Sequence, residues 1–527
     1  MSSSFGRSGG MGGSVAPTAR WILGGLLAGG VQALAFAPAL SAAGAWWPAL
    51  AQTLAVALLV GLLHAAPRPA VAAWVGWAFG SAWLLGGTGW MFVSLHRYGG
   101  LPAWLSALAV GLLCMALSIY LALAAWCWAR WRCRRWGGDA LMWGALWLLA
   151  EVARALIFTG FPWAASGYAL VDSPWASLAP WVGVYGMGQV MVTGVAAVVL
   201  AACLRRGVWP ASALLVAVTV GLAAVNTSFV SPHGRPLQVT LLQGAVPQDE
   251  KFVPEHQLAN LAWHAEQLAA ARGDLVVAPE TAIPLLPADL PMGYWDGLLA
   301  HFQQGPTAAL IGLPLGSMEQ GYTNSVAGVS SATRDAPGGI YRYNKVHLVP
   351  FGEFIPWGFR WFVNMMNMPL GDFSRGPRQA PSFPVAGQWV APNICYEDLF
   401  GEELAARFQP GQTPVPTVLA NVSNLAWFGE HVAMAQHLQI ARLRSLEFQR
   451  PTIRATNTGA TVVIDHRGQV TASLPFNTRG ALHASVQGTT GLTPFARWAG
   501  AWGLWPLIGL AVGMVLALRV WRPGPVK

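Results

Sequence analysis

Long hydrophobic stretches fill the first 230 residues of this 527-residue chain and return near its end. A helix of about 20 apolar residues is long enough to cross a bilayer. Seven such stretches lie at about 21–40, 47–64, 70–95, 104–130, 140–160, 177–204 and 208–226, and an eighth lies at 500–520. The pattern predicts a membrane helical bundle of eight transmembrane helices, seven in residues 21–226 and one at the C-terminal end.

The loops between these stretches are of two kinds, those with several basic residues and those with few. Alternate loops carry Arg68, Arg130, Arg132, Arg134, Arg135, Arg205 and Arg206, and the tails 1–20 and 521–527 are also basic. Because Arg and Lys mark cytoplasmic loops, we expect both tails in the cytoplasm and residues 227–499 in the periplasm of a bacterium. The apolar run 21–36 also fits a cleaved signal peptide, but the spans that follow favour an uncleaved first helix.

Composition agrees with a membrane protein, since 54% of residues are hydrophobic and only 10% are charged. The net charge of +9 lies largely in short loops. A nucleic-acid-binding protein would instead gather it on one soluble face, so we expect no nucleic-acid partner. Glu151 and Arg154 stand three residues apart inside a predicted span. Such charges are usually paired or functional, so they either hold the bundle together or serve lipid or substrate access.

Residues 227–499 have a different pattern, in which apolar strand-like runs alternate with helical ones. The strand-like runs are 237–243, 274–279, 308–313, 324–329, 339–345, 390–395, 416–422 and two near 452–465, and the helical runs are 255–272 and 431–449. A mixed α and β pattern of this length predicts one large domain, a sheet sandwich with helices outside.

Three ionisable residues stand at strand ends in this domain: Glu280, Lys345 and Cys395. A thiol becomes a good nucleophile only as a thiolate, and a carboxylate can take its proton. An ammonium stabilises both the thiolate and the oxyanion that forms on a carbonyl. Each residue alone also fits a structural role, but the set supports acyl transfer through a thioester. The five cysteines form no CxxC pair, so we expect no metal, no disulfide framework and no cofactor.

The motifs around these residues resemble the nitrilase or carbon–nitrogen hydrolase superfamily, whose triad is Glu, Lys and Cys. They are VVAPET at 276–281, NKVHLVPFGE at 344–353 and ICYED at 394–398. Together with the predicted spans, nearly the whole chain resembles its membrane branch, the apolipoprotein N-acyltransferase family. Further matching runs are AFAP at 35–38, GFPW at 160–163, LLQGAVPQ at 241–248, SNLAWFG at 423–429, RLRSLEFQRPTIRATNTG at 442–459 and GLTPFARW at 491–498.

This resemblance implies a nitrilase-like αββα sandwich with Glu280 as general base, Lys345 as oxyanion stabiliser and Cys395 as nucleophile. Glu353, Tyr396 and Glu397 are the supporting residues it implies, although each also fits a scaffold role. The implied reaction moves an acyl chain from a phospholipid, phosphatidylethanolamine in the family, to the α-amino group of an apolipoprotein's diacylglyceryl-cysteine. Two positions depart from the family pattern: Leu425 replaces an expected Asp, and Phe252 an expected Trp.

The stretch 351–370 is strongly apolar for a segment outside the membrane. Exposed apolar patches indicate membrane or lipid contact, so we expect an arm near the bilayer surface, with an ordinary buried loop as the alternative. The candidate lipid-contact residues are Phe351, Phe354, Trp357, Met365, Met366 and Trp427.

Two other functions use the same features differently. A membrane-tethered nitrilase-type amidase or hydrolase would employ the same three residues with water as the acceptor. A transporter with a soluble domain that only binds ligand would make use of Glu151 and Arg154. For the acyltransferase, we expect a multi-pass protein of the bacterial inner membrane, for which a monomer suffices.

Overall fold

The computed structural model describes residues 15–38, 44–251, 253–317, 319, 321–363, 365, 372–409, 414–430 and 432–520. Phe252, Met366, the tail 521–527 and most of the tail 1–20 lie outside these residues, so the predictions made for them stay predictions. The described residues form a helical bundle and an α/β domain that packs against one end of it.

Nine helices precede the α/β domain in the described residues. They are α1 (Val15–Leu34), α2 (Trp47–Ala65), α3 (Pro69–Thr88), α4 (Met91–Val93), α5 (Ala103–Leu117), α6 (Ile119–Trp131), α7 (Trp136–Leu156), α8 (Ala179–Cys203) and α9 (Val208–Ala224). Seven more follow: α10 (Pro254–Ala270), α11 (Tyr294–Gln304), α12 (Arg360–Val363), α13 (Gly401–Ala405), α14 (Val432–Phe448), α15 (Pro494–Trp502) and α16 (Trp505–Val520).

Several of these helices are able to cross a membrane. Five segments of the described residues are long and apolar enough: Trp47–Ala65, Pro69–Thr88, Ala103–Trp131, Trp136–Thr159 and Pro174–Cys203. A sixth results if α15 and α16, which meet at 89°, count as one span, while α9 is a shorter apolar helix. Every one of the eight predicted stretches contains a helix, but α1 begins before its predicted start.

The bundle is held by close helix approach and by aromatic packing. α1 lies so near α3 that a Cβ added at Gly29 would come within 2.1 Å of the Phe79 carbonyl oxygen, so only glycine fits there. In the bundle core, the rings of Trp83 and Trp147 stack with centroids 5.6 Å apart, and Trp143 meets Trp147 edge-on. Ring pairs of this kind contribute beyond the area that they bury.

The α/β domain contains fourteen strands in its described residues. They are β1 (Val230–Pro232), β2 (Leu237–Gln243), β3 (Leu275–Val277), β4 (Ala308–Ser317), β5 (Gly321–Val329), β6 (Tyr341–Asn344), β7 (Phe383–Val385), β8 (Gln388–Ile394), β9 (Val418–Ser423), β10 (Thr452–Thr456), β11 (Val462–Ile464), β12 (Val470–Ser473), β13 (Gly480–Val486) and β14 (Thr489–Gly491). Every predicted strand-like run contains one of them.

Twelve of these strands form two six-stranded sheets, ordered β13-β2-β3-β4-β5-β6 and β12-β11-β10-β9-β8-β7, and β1 pairs with β14. The central strands β2, β3 and β4 are parallel, as are β8, β9 and β10. The register pairs Val239 with Leu275 and Leu275 with Ala308 in the first sheet. In the second sheet, Val390 pairs with Val418.

Apolar side chains from both sheets share one buried core, which includes Leu241, Val277, Ile394 and Val422. α10 and α11 cover the outer face of the first sheet. α13, α14 and α15 lie on the outer side of the second sheet, where α14 and the turn after β8 also pack into the core of the helical bundle. The predicted αββα sandwich is therefore confirmed, with the second sheet facing the bundle.

Candidate active site

Three strands deliver the predicted triad to one end of the sandwich. Glu280 follows β3, Lys345 follows β6 in the same sheet, and Cys395 follows β8 in the other sheet. All three are buried, with exposed fractions of 7%, 1% and 8%. The site thus lies where the two sheets meet, and a rigid strand end holds each group in place.

Lys345 is held between two carboxylates. Its Nζ lies 3.2 Å from Glu280 Oε1 and 2.9 Å from Glu353 Oε1. Burial opposes the charged form, but the two carboxylates raise the pKa of the Lys345 ammonium above its ordinary value. Lys345 is therefore cationic throughout the neutral range, as stabilisation of an oxyanion requires.

Asn324 in β5 is a site residue that the sequence analysis did not identify. Its side-chain nitrogen donates to Glu280 Oε1 at 2.7 Å and to Glu353 Oε1 at 2.6 Å. The other oxygen of Glu280 accepts the backbone N–H of Asn424 at 2.8 Å. The sequence signal was a polar residue within a strand whose neighbours are mostly buried, since such a group needs partners.

Cys395 has a left-handed backbone conformation, with φ of +51°, at the start of a short 3₁₀ turn. This conformation is costly for a side chain larger than glycine's. The Cys395 carbonyl accepts hydrogen bonds from His437 Nε2 at 3.2 Å and from Asn421 Nδ2 at 3.5 Å. Arg454 donates to His437 Nδ1, which leaves the ring proton on Nε2. These contacts hold the backbone of Cys395 in place.

The surroundings of Cys395 make its thiol a weak acid in the resting site. Burial raises its pKa above the ordinary value, and the carboxylates of Glu280 and Glu353 add to the increase. Lys345 and the backbone N–H of Asn424 act in the opposite direction. The thiol is consequently protonated at neutral pH, so nucleophilic attack requires a nearby base.

Glu397 and Tyr396 are placed as scaffold residues. Glu397 Oε1 accepts the backbone N–H of Val346 at 2.6 Å, and its Oε2 accepts the N–H of Ile394 at 2.7 Å. It therefore ties the segment after Lys345 to the strand before Cys395. The Tyr396 hydroxyl donates to the Gly160 carbonyl of the helical bundle at 3.1 Å.

The pair Glu151 and Arg154 shapes the neighbouring loop of the bundle. Arg154 Nη2 lies 3.9 Å from Glu151 Oε1, and Arg154 Nη1 donates to the carbonyls of Phe161 and Trp163. Glu151 accepts the backbone N–H of Ser166 at 2.7 Å. Both charges thus serve as anchors for residues 157–166, which agrees with the first of the two roles predicted for them.

The candidate lipid-contact residues differ in their exposure. Trp357 is 98% exposed and Met365 is exposed. Phe351 packs edge-on against Phe359, and Arg375 lies over the ring of Phe354. Trp427 is half-buried and meets Tyr98 of the bundle edge-on, with centroids 5.6 Å apart. Exposed apolar side chains therefore lie in the segment that follows Glu353, and Phe351 packs in a small cluster with Leu101 of the bundle.

Comparison with known proteins assigns both halves of the chain. Residues 28–197 match the model of the apolipoprotein N-acyltransferase N-terminal domain, and residues 238–495 match that of the carbon–nitrogen hydrolases. An apolipoprotein N-acyltransferase of Verminephrobacter eiseniae is 48% identical over 508 residues, which cover 91% of this chain and 92% of the relative. The chain belongs to the apolipoprotein N-acyltransferase family.

Two further relatives in the apolipoprotein N-acyltransferase family have the same extent. The protein of Ralstonia nicotianae is 47% identical and covers 93% of this chain and 91% of its own length. The protein of Bordetella bronchiseptica is 41% identical, with coverages of 94% and 96%. The α/β domain accordingly has the carbon–nitrogen hydrolase fold, within an acyltransferase family.

Leu425 is one of the two departures from the family pattern that the sequence shows. In this apolipoprotein N-acyltransferase family member it lies in the core of the α/β domain. Its side chain is buried among the apolar residues between the two sheets. An apolar residue suits that environment, because an unpaired carboxylate there would be costly.

Proposed function

We propose that this protein transfers a fatty acyl chain from a phospholipid to the α-amino group of the diacylglyceryl-cysteine of an apolipoprotein, through a thioester on Cys395. The observation that carries the proposal is the buried cluster in which Lys345 bridges Glu280 and Glu353 while both carboxylates act on the thiol of Cys395. The cluster supplies a base, a cation and a nucleophile in one place.

In the first half-reaction, the Glu280 carboxylate takes the proton from Cys395 Sγ. The thiolate attacks an acyl ester carbonyl of the phospholipid, and the Lys345 ammonium stabilises the tetrahedral oxyanion. The C–O bond then breaks, and the leaving lysophospholipid oxygen takes the proton from Glu280. A thioester on Cys395 remains, and Glu280 is again a carboxylate.

In the second half-reaction, the neutral α-amine of the apolipoprotein attacks the thioester carbonyl. Glu280 accepts the proton that the nitrogen loses as the amide bond forms. The C–S bond breaks, and the departing Cys395 sulfur recovers that proton. The products are the N-acylated lipoprotein and the resting thiol, so one site performs both steps in turn.

Placement at a bilayer surface follows from the lipid anchors that both substrates carry. We propose eight spans, with residues 21–226 and 500–520 in the inner membrane, the tails 1–20 and 521–527 in the cytoplasm, and the catalytic domain 227–499 in the periplasm. The exposed Trp357 and the apolar residues beside it support contact of this domain with the bilayer. Phosphatidylethanolamine is the proposed donor, and the protein acts as a monomer.

A membrane-tethered hydrolase is the second candidate, because water could replace the amine in the same site. The exposed apolar residues Trp357 and Met365 favour the transferase, since they would keep water from the thioester while a lipid-anchored acceptor enters.

Mass spectrometry of the purified protein after incubation with phosphatidylethanolamine tests the proposal. We expect one fatty-acyl mass on the Cys395 peptide, released by hydroxylamine. Cys395→Ala should lack the adduct, whereas Cys203→Ala, which changes an exposed cysteine of the bundle, should retain it. Addition of a diacylated lipopeptide should then yield N-acylated peptide. An adduct in Cys395→Ala, or free fatty acid as the sole product, would contradict the transferase.

A further inference from the structure

Lysine is scarce in this chain, and its use is selective. Of the 31 basic residues, 28 are Arg, and the three lysines are Lys251, Lys345 and Lys527. The α/β domain thus contains two lysines, and both contact Glu280, one at its carboxylate and one at its backbone carbonyl. The lysine ammonium is a compact charge on a flexible stem, unlike the planar guanidinium of Arg, so the use of lysine at these two positions points to a role at the site.

Lys251 lies inside the active site, although the proposed mechanism does not yet use it. Its side chain is only 5% exposed, and Nζ donates to the Glu280 carbonyl oxygen at 3.3 Å. Its charge interacts with the Glu280 carboxylate and with Cys395. Its ammonium therefore faces the same groups as Lys345, from the segment that follows β2.

Hydrogen bonds hold this segment in place. Gln248 accepts the side-chain N–H of Asn424 at 2.9 Å, and the backbone N–H of Asn424 donates to Glu280. The side-chain nitrogen of Asn457 donates to the backbone carbonyl of Val246 and to Asn424 Oδ1. The segment carrying Lys251 is thus fixed to the loop that also contacts the general base.

Charge balance indicates what Lys251 contributes. Glu280 and Glu353 carry two negative charges against one positive charge on Lys345, and transfer of the thiol proton to Glu280 moves one of the two negative charges to the Cys395 sulfur. An uncompensated charge in a buried site is costly. Lys251 brings the cluster to neutrality both in the resting state and after this proton transfer.

Other ionisable groups near this cluster are already balanced. His264 of α10 faces Lys251, but burial lowers the pKa of this imidazole to about 4, so it is neutral at pH 7. Arg454 interacts with Cys395 and is paired with Asp398 at 2.5 Å. Burial also lowers the pKa of Lys251 to about 8, which leaves it mainly charged at pH 7.

We propose that Lys251 is a second cation of the catalytic centre, which positions Glu280 through its backbone and stabilises the thiolate and the oxyanion together with Lys345. The inference rests on the proposed function, because it takes Cys395 as the nucleophile. Lys251 is a positioning residue, because it acts on Glu280 and Cys395 through its charge.

Alkylation of Cys395 by iodoacetamide, in detergent free of phospholipid, measures thiolate formation without any lipid substrate. We expect Lys251→Met to alkylate about tenfold more slowly than the wild type at pH 7, as loss of a nearby charge implies. The difference should shrink above about pH 8, where the wild-type Lys251 itself loses its charge. A role in packing alone would give no such convergence.

Three variants separate charge from other effects. Lys251→Gln keeps a donor for the Glu280 carbonyl and should be as slow as Lys251→Met. Lys251→Arg keeps the charge, so its rate should be near that of the wild type at pH 7 and should exceed it above about pH 8, where the wild-type lysine loses its charge. Arg235→Met removes an exposed charge, paired with Asp274 on the same domain, and should change nothing. Thermal unfolding confirms that each variant is folded.

The proposal is overturned if Lys251→Gln alkylates like the wild type, or if the charge-free variants are slow by the same factor at every pH. It is also overturned if Lys251→Met changes only the KM for phospholipid, which would make Lys251 a phosphate contact. Failure of the wild type to form an acyl-enzyme would refute the proposed function instead, because alkylation needs no acyl donor.

Discussion

The indole N–H of Trp163 donates a hydrogen bond of 2.7 Å to the side-chain oxygen of Gln436, which joins the helical bundle to α14. The Trp163 ring also stacks on His437, with centroids 5.7 Å apart. His437 in turn donates to the carbonyl of Cys395. A chain of direct contacts therefore runs from a loop of the bundle to the backbone of Cys395, the proposed nucleophile.

Gln436 should be a major contributor to the docking of the two parts. Besides Trp163, it accepts from the indole of Trp90 and donates to the carbonyls of Phe36 and Gly87 at 2.9 Å. Gln436→Leu leaves these buried groups without partners, which we expect to destabilise the protein by about 3 kcal/mol. Thermal unfolding in detergent measures the loss.

Gln439→Leu is the matched control for Gln436, since Gln439 lies on the same helix and its side chain accepts one bond, from Arg442. We expect it to cost less than about 1 kcal/mol. Equal melting temperatures for the two variants would show that the four bonds of Gln436 do not secure the docking.

Tyr396→Phe should separate activity from stability. Loss of its bond to Gly160 costs about 1 kcal/mol, but it also loosens the residue next to the nucleophile, so we expect acyl-enzyme formation to slow about tenfold. Tyr294→Phe removes a similar bond, to the Leu261 carbonyl at 2.8 Å, in the outer helix layer. If both variants acylate at the wild-type rate, the contact with the bundle does not position the site.

Asn324→Leu should impair catalysis more than lipid binding. Without the shared amide, the carboxylates of Glu280 and Glu353 lose their common donor beside Lys345, and the triad geometry relaxes. We expect the rate of acyl-enzyme formation to fall about 100-fold with little change in KM. Single-turnover acylation across phospholipid concentrations measures both, with Ser325→Ala in the same strand as the control. A change confined to KM would contradict this role.

The alkylation rate of Cys395 should depend steeply on pH. Since the folded site raises the pKa of this thiol, the rate should still climb at pH 9, and in Lys251→Met, which lacks the titrating lysine, it should climb tenfold per pH unit. In the unfolded protein the rate should level off near the ordinary thiol pKa of about 8.5. The folded state binds the Cys395 proton more tightly than the unfolded state does. This proton therefore stabilises the fold below about pH 8.5, and the stabilisation is lost as the pH rises above that value. A plateau at pH 8 in the folded protein would contradict the raised pKa.

Local sequence patterns predicted most of the elements and singled out the three residues of the candidate triad. Each predicted strand run contains a strand because alternating or continuous apolar residues must be buried in a sheet. The pattern did not reveal the edge strands β7, β12 and β13, the pair β1 and β14, or the helices α11 to α13, since short or half-exposed segments carry a weak signal. Cys395, Lys345 and Glu280 were found because their residue types and motifs are distinctive.

By itself the sequence predicted the apolar helices and the sheet sandwich, because these depend on residue type and short-range periodicity, and its motifs singled out Glu280, Lys345 and Cys395 as the candidate base, cation and nucleophile. Only the tertiary structure decided that Asn324 links two carboxylates, that Lys251 joins Lys345 at Glu280, and that Gln436 connects α14 to the bundle. Those contacts join residues far apart in the chain, and the pairing of buried polar groups is set by packing of whole elements rather than by local sequence.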